Sequence, residues 1–290
     1  MRTIVTILGL LSVSMMPASA QDKVLLETIE GMPTLDGVVL TYFPEGSHDR
    51  ASEVQALMED GVAYFDSTLE VELFVHVALL GPEEWKRLNT PPAPYSLFLP
   101  GVAAGPPHIM FLPAERGHAL DSLVMKINRE SASLQRMAPS SDELSLRYSA
   151  LVGFHELGHV VARAYELEAP SSWFNEFLAT FLAYAFLRDQ SPQDARIWHE
   201  VTTSFVEEIE PTKIALEDIH SGVGVQNYLW YQGSLQVRVD EVYRRQGLAF
   251  ISQLKSFFAS PSSVGDSPDD FLHTLEGISP GFESWAKKYH

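Results

Sequence analysis

The chain has 290 residues, with 20 basic side chains against 38 acidic ones, no cysteine and a formal charge of −18. Such acidity excludes the electrostatic footprint of a nucleic-acid or anionic-membrane binder. The lack of thiols excludes disulfides, thiolate metal ligands and a cysteine nucleophile. Length and a 46% hydrophobic content suit one large domain or two small ones, with ample core.

Arg2 precedes an apolar run from Ile4 to Met16, and Pro17-Ala18-Ser19-Ala20 ends it with a small-x-small cleavage pattern. This predicts a secretory signal peptide over residues 1–20, cut after Ala20, and a secreted or periplasmic protein. The run is short for a bilayer, and no later stretch offers about twenty uninterrupted apolar residues, so no membrane span is expected after signal removal. Residues 21–290 are expected to form one α+β unit, with a mixed α/β half over 21–138 and a helical half over 139–290.

Residues 23–28 and 38–43 read as two short strands around a turn between Gly31 and Gly37. Residues 51–69 read as a helix, with Val54, Leu57, Met58, Val62 and Phe65 at core spacing. Residues 71–80 alternate as a strand, and Pro82 opens a short helix carrying Trp85. Residues 90–107 are rich in proline and glycine, and 108–113 read as another strand.

Ser140, three residues ahead of Glu143, predicts a helix start with a capping box. From there Leu144, Tyr148, Leu151, Val152, His155, His159 and Ala162 recur at helical spacing. His155-Glu156-Leu157-Gly158-His159 therefore lies within a buried stripe. Imidazoles four residues apart project from one helical face and can share a metal. Glu156 is offset around the helix, where it can act on water held in the site instead of serving as a ligand. Left unpartnered in an apolar stripe, these groups would cost on the order of several kcal/mol in desolvation, and a metal removes that cost.

A catalytic zinc takes three protein ligands and keeps one position open. Ala162 and Tyr165 stand where a metzincin would need glycine and a third histidine. Glu166 lies about 10 Å from His159 by helical rise, too far to join it on one ion. Ala169-Pro170-Ser171-Ser172 breaks the first helix, and residues 173–188 read as a second, apolar one. Glu176 is its conspicuous carboxylate, among Phe174, Phe177, Leu178, Phe181 and Leu182. A second helix folded back across the first brings Glu176 to the metal. With three ligands filled, His108 and His118 read as structural or surface histidines.

At these residues the chain resembles the gluzincins, the glutamate-zincin branch of the MA clan of metallopeptidases, which includes thermolysin and the aminopeptidase N family. His155-Glu156-x-x-His159 followed by Asn175-Glu176-x-x-Ala179 looks like their paired signature, and the match covers residues 140–185, more loosely up to 255. The resemblance implies a zincin-like fold, a small N-terminal sheet forming one side of a cleft, and zinc ligands His155, His159 and Glu176. It also implies Glu156 as general base, and residues 108–112 are either the edge strand that pairs with substrate or an ordinary interior strand. Asn175 and Thr180, one before and four after Glu176, are candidates for hydrogen bonds that orient the ligands.

The aminopeptidase N family carries a glutamate for the substrate's free amine near the stretch equivalent to residues 101–105. No acidic residue stands between Glu84 and Glu115 here, which disfavours an aminopeptidase.

Beyond the second helix, residues 191–208, 227–245 and 248–258 read as helices, with an irregular connection over 211–224. Residues 269–275 and 281–290 read as short terminal helices. The stretch from Tyr228 to Gly233 looks like the tyrosine-x-lysine-glycine element of the aminopeptidase N family, whose tyrosine stabilises the tetrahedral intermediate. Counting back three from Gly233 lands on Trp230, so Tyr231, Tyr228 and His220 are the candidate oxyanion donors. The expected function is an exported zinc-dependent peptidase acting on a peptide or protein substrate, with an endopeptidase favoured. The alternatives are a non-catalytic, zinc-stabilised peptide-binding or interaction module, and an aminopeptidase.

Overall fold

A computed structural model describes residues 20–88, 101–103, 105–116, 120–138, 140–167, 169, 171–220, 224–259 and 268–289. Apart from Ala20, the expected signal peptide lies outside these residues, as does His118. The elements in chain order are α1 (Ala20–Ile29), β1 (Thr34–Leu35), β2 (Leu40–Tyr42), α2 (His48–Leu69), β3 (Val75–Leu80), α3 (Pro82–Leu88), β4 (Gly101–Ala103) and β5 (His108–Pro113). The helical half follows with α4 (Asp121–Glu130), α5 (Ala132–Met137), α6 (Ser141–Ala164), α7 (Ser172–Gln190), α8 (Pro192–Glu208), α9 (Val225–Gln246), α10 (Ala249–Phe258), α11 (Pro268–Ile278) and α12 (Phe282–Ala286). The fold is α+β, and among the described residues no helix is long and apolar enough to cross a membrane.

Five strands form one mixed sheet in the order β1-β2-β3-β5-β4, parallel across its centre and antiparallel at both edges. Along β3, Val75, Val77 and Leu79 face one side of the sheet and Ala78 and Leu80 the other. β5 alternates in register, with Met110 and Leu112 on the first side and Ile109 and Phe111 on the second. On the second side α1 and α3 supply Leu25, Ile29, Trp85 and Leu88. On the first side α2 and α6 pack through Met58, Phe65, Phe154 and Leu157. Full burial of such side chains stabilises by about 1.5–3 kcal/mol each.

Helix α6 is thus wedged between the sheet and the helical half. Ser140 caps its start, its Oγ accepting from the Glu143 backbone N–H at 3.4 Å, so the expected N-terminus holds. Helix α7 lies on α6, and nearly every side chain from Trp173 to Leu187 is buried. Helices α8 and α9 pack on α7, and α8 also meets α6, where Tyr148 stacks on Trp198 and bonds Thr202. The end of the chain seals the start of α7: Phe271 and Phe282 pack on Phe174, and Trp285 on Trp173. The buried Arg238 guanidinium lies 4.2 Å over the Phe282 ring and donates to the Ser279 and Pro280 carbonyls.

Two expectations are corrected, one open alternative is decided and two helices are added. Residues 23–28 belong to helix α1, not to a strand. Leu25 and Ile29 are buried one turn apart, Lys23 pairs with Glu27, and Thr28 donates to the Val24 carbonyl, all at helical spacing. β5 is an interior strand, because β4 pairs along Ile109–Phe111 and takes the sheet edge. Residues 101–103, expected within an irregular stretch, are therefore that edge. Helices α4 and α5 were not expected; Val124, Ile127 and Leu134 bury their apolar sides.

Candidate metal centre

Two helices build the site. His155 and His159 lie one turn apart on α6, and Glu176 sits in the first turns of α7. Ligand atoms of these three residues all lie within 4.8 Å of one another. His155 Nε2 is 3.2 Å from Glu176 Oε2 and 3.2 Å from His159 Nε2, and His159 Nε2 is 3.7 Å from Glu176 Oε1. Two imidazole nitrogens and one carboxylate converging from buried positions form a set that could hold a metal ion. Glu156 is buried beside them, at 7% exposure against 4% for His155 and 5% for Glu176. Solvent reaches the set past His159, whose side chain is 20% exposed, and past His220, at 52%.

Asn175 is brought near but serves another purpose. Its Oδ1 accepts from the Ala169 N–H at 2.9 Å and its Nδ2 donates to the Ala169 carbonyl at 3.1 Å. This two-point clasp fixes the turn that aims α7 back across α6; it does not touch the ligands. Thr180 does reach them, with its Oγ1 3.1 Å from His155 Nδ1.

Among the three oxyanion candidates the structure separates one from two. Tyr231 is fully buried, and its hydroxyl donates to the Ala215 carbonyl at 2.7 Å, away from the ligands. It is removed from the candidate set because its helical position turns it toward the loop ahead of α9. Tyr228 donates to Glu176 Oε2 at 2.8 Å, and His220 Nε2 lies 3.1 Å from Glu176 Oε1, its ring stacked on that of Tyr228. Gln232, which was not singled out from the sequence, joins them by donating to Glu176 Oε2 at 2.7 Å and to the Tyr228 hydroxyl at 2.9 Å. The signal was its spacing, four residues after Tyr228 on the same face of α9.

Burial and charge set the protonation of these groups. Burial pushes the Glu156 carboxyl up to about 7, with His155 opposing and Glu176 adding to the shift. Burial pushes His159 down to about 4, against the attraction of Glu176, which keeps the ring neutral and its lone pair free. Burial alone would raise Glu176, yet the neighbouring His159, His155 and His220 outweigh it and hold the carboxylate well below the usual range. His155 is pushed down by burial and raised more strongly by Glu176 and Glu156, so its net shift is upward. Burial, then Glu176 and Glu156, drive the Tyr228 hydroxyl well above its ordinary value, so it is a proton donor throughout the physiological range. Its partner His220 is raised by its bond to Glu176.

Comparison with protein-family models, with curated proteins and with solved structures returns no match.

Proposed function

We propose that the chain is an exported zinc peptidase with a zincin-like fold, cutting peptide bonds within a peptide or protein. The observation that carries the reading is the three-ligand set of His155, His159 and Glu176 with a further buried carboxylate, Glu156, beside it. A structural zinc is usually closed by four protein ligands and needs no adjacent base, whereas a catalytic one keeps a position open. When bound, zinc would supply Lewis-acid polarisation of the scissile carbonyl and lower the pKa of water in the site toward about 7.

The chain's own residues supply the rest. Glu156, with its carboxyl near neutrality, takes the proton of the attacking water and returns it to the departing amine nitrogen. The Tyr228 hydroxyl and His220 Nε2 both bond Glu176, and either group, on turning from that carboxylate, can donate to the charge that develops on the carbonyl oxygen. An extended substrate would find its strand partner in β4, the sheet edge on the side of α6.

The test is metal content and peptide hydrolysis of the full chain, beside a His155→Ala variant. About one zinc per wild-type chain, lost together with hydrolysis in the variant, is the expected result. A wild type that takes up no added zinc would overturn the reading in favour of a binding module. Substrates with blocked and free N-termini then distinguish an endopeptidase from an aminopeptidase.

A further inference from the structure

A closed ring of side chains links both helices of the site. His155 Nδ1 lies 3.1 Å from Thr180 Oγ1, and Thr180 Oγ1 lies 3.1 Å from Gln232 Oε1. Gln232 Nε2 donates to Glu176 Oε2 at 2.7 Å, and Glu176 Oε2 lies 3.2 Å from His155 Nε2. His155, Glu176 and Thr180 are almost wholly buried, and Gln232 is 8% exposed.

From Glu176 through Gln232 and Thr180 to His155 Nδ1 the donors and acceptors admit one order, while the closing link from His155 Nε2 to the carboxylate needs a second ring proton or a cation between them. A carboxylate only accepts, and the Tyr228 hydroxyl gives its single hydrogen to Glu176, so both must face the Gln232 NH₂ group. Flipping the amide would set carbonyl oxygen against carboxylate. Gln232 Oε1 therefore points at Thr180 and must accept from it. The threonine hydroxyl has one hydrogen, which this bond consumes, so toward His155 it can only accept. His155 Nδ1 must carry the proton, and Nε2 is the nitrogen presented to His159 and Glu176.

We infer that Gln232 is a positioning residue for the metal centre, fixing His155 with its proton on Nδ1 through Thr180 while holding Glu176 directly. The inference rests on the zinc reading for its consequence, because a ring nitrogen must offer its lone pair to bind metal. One amide on α9 thereby orients a ligand on α6 and a ligand on α7. Neither metal-binding motif contains it.

The experiment has two parts. First, zinc affinity is measured by competition with a chromophoric chelator for the wild-type full chain and for Thr180→Val, Thr180→Ser and Gln232→Met, with folding checked by circular dichroism. Thr180→Val and Gln232→Met are expected to weaken zinc binding about 10- to 100-fold, and Thr180→Ser to stay within about threefold of wild type. Second, imidazole ¹⁵N shifts of the metal-free wild type, recorded where the His155 ring is neutral, are expected to place its proton on Nδ1. A folded Thr180→Val chain with wild-type zinc affinity, or a neutral His155 protonated on Nε2, overturns the inference. A wild type with the Nδ1 proton that binds no zinc supports the proton order and overturns only the metal reading.

Discussion

Gly158 on α6 lies so close to Ala179 on α7 that a Cβ at position 158 would stand 2.4 Å from the Ala179 carbonyl oxygen and 2.9 Å from its Cα. Both are backbone atoms, which cannot rotate aside as a side chain would. A glycine in mid-helix costs about 1 kcal/mol relative to alanine. Here that cost is offset by the close approach of two helices, one residue ahead of His159 and three beyond His155. The distance between the ligands of α6 and the ligand of α7 is set at this contact.

Gly158→Ala is therefore expected to destabilise the protein by about 1–3 kcal/mol despite its better helix propensity, and to weaken zinc binding by moving Glu176 off the imidazoles. Gly277→Ala on α11 is the control, since nothing lies within 4 Å of a Cβ there. It should stabilise by up to about 1 kcal/mol. Denaturant unfolding of the two variants, with zinc affinity measured in parallel, checks the pair. Equal stabilisation by both would show that α6 and α7 can part freely at Gly158.

Glu156→Gln keeps the shape of the side chain and removes its ability to carry a proton. Zinc stoichiometry should be unchanged and turnover should fall about 10²- to 10⁴-fold. Hydrolysis near the wild-type rate would assign the base elsewhere. Lost zinc would instead make Glu156 a ligand.

The two tyrosines of α9 should respond differently. Tyr228→Phe removes a donor at the ligand set and should cost about 10²- to 10³-fold in kcat. Tyr231→Phe breaks a bond to the Ala215 carbonyl and should cost about 1–3 kcal/mol of stability, with zinc affinity and kcat preserved. His220→Ala should retain zinc, because the exposed ring belongs to the opening and not to the three-ligand set. Zinc loss in that variant would mean a closed, four-ligand site.

The sequence made the ligand set legible because its pattern is local. Two histidines at helical spacing and one carboxylate in an apolar helix carry their own desolvation argument, and the structure brings the three together. Relations across helices were harder to read. Tyr228 and Tyr231 are alike in composition and differ by three residues, but only the packing of α9 decides which one faces Glu176. Gln232 has no signature beyond its spacing from Tyr228. In the first half, Val24-Leu25-Leu26 is a short apolar run that periodicity alone leaves ambiguous between strand and helix. The burial of Leu25 and Ile29 against Trp85 and Leu88 decides for the helix. β5 carries an interior strand's apolar content, yet its place in the sheet depends on β4, three residues too short to stand out.

Histidines outside the site make stability depend on pH. Burial lowers His76, and it lowers His108 with help from Arg163 against a bond to Ala103. Among the described residues neither ring's buried Nδ1 has a hydrogen-bond partner, so these residues offer no acceptor at those atoms if they gain a proton. The unfolded chain binds protons at these positions near pH 6.5, where the folded chain does not. Their stabilising contribution is therefore fully present above that value and is lost as pH falls through it toward the depressed folded values. The site residues His155 and His220 are shifted the opposite way, so the clean measurement is a difference between two proteins. Melting temperatures of metal-free wild type and a His76→Gln, His108→Gln double variant should be compared from about pH 8 down to about pH 5.5. Wild type should lose stability relative to the variant as the pH is lowered. A constant difference across the range would show that both rings take up protons in the folded protein as readily as in the unfolded chain.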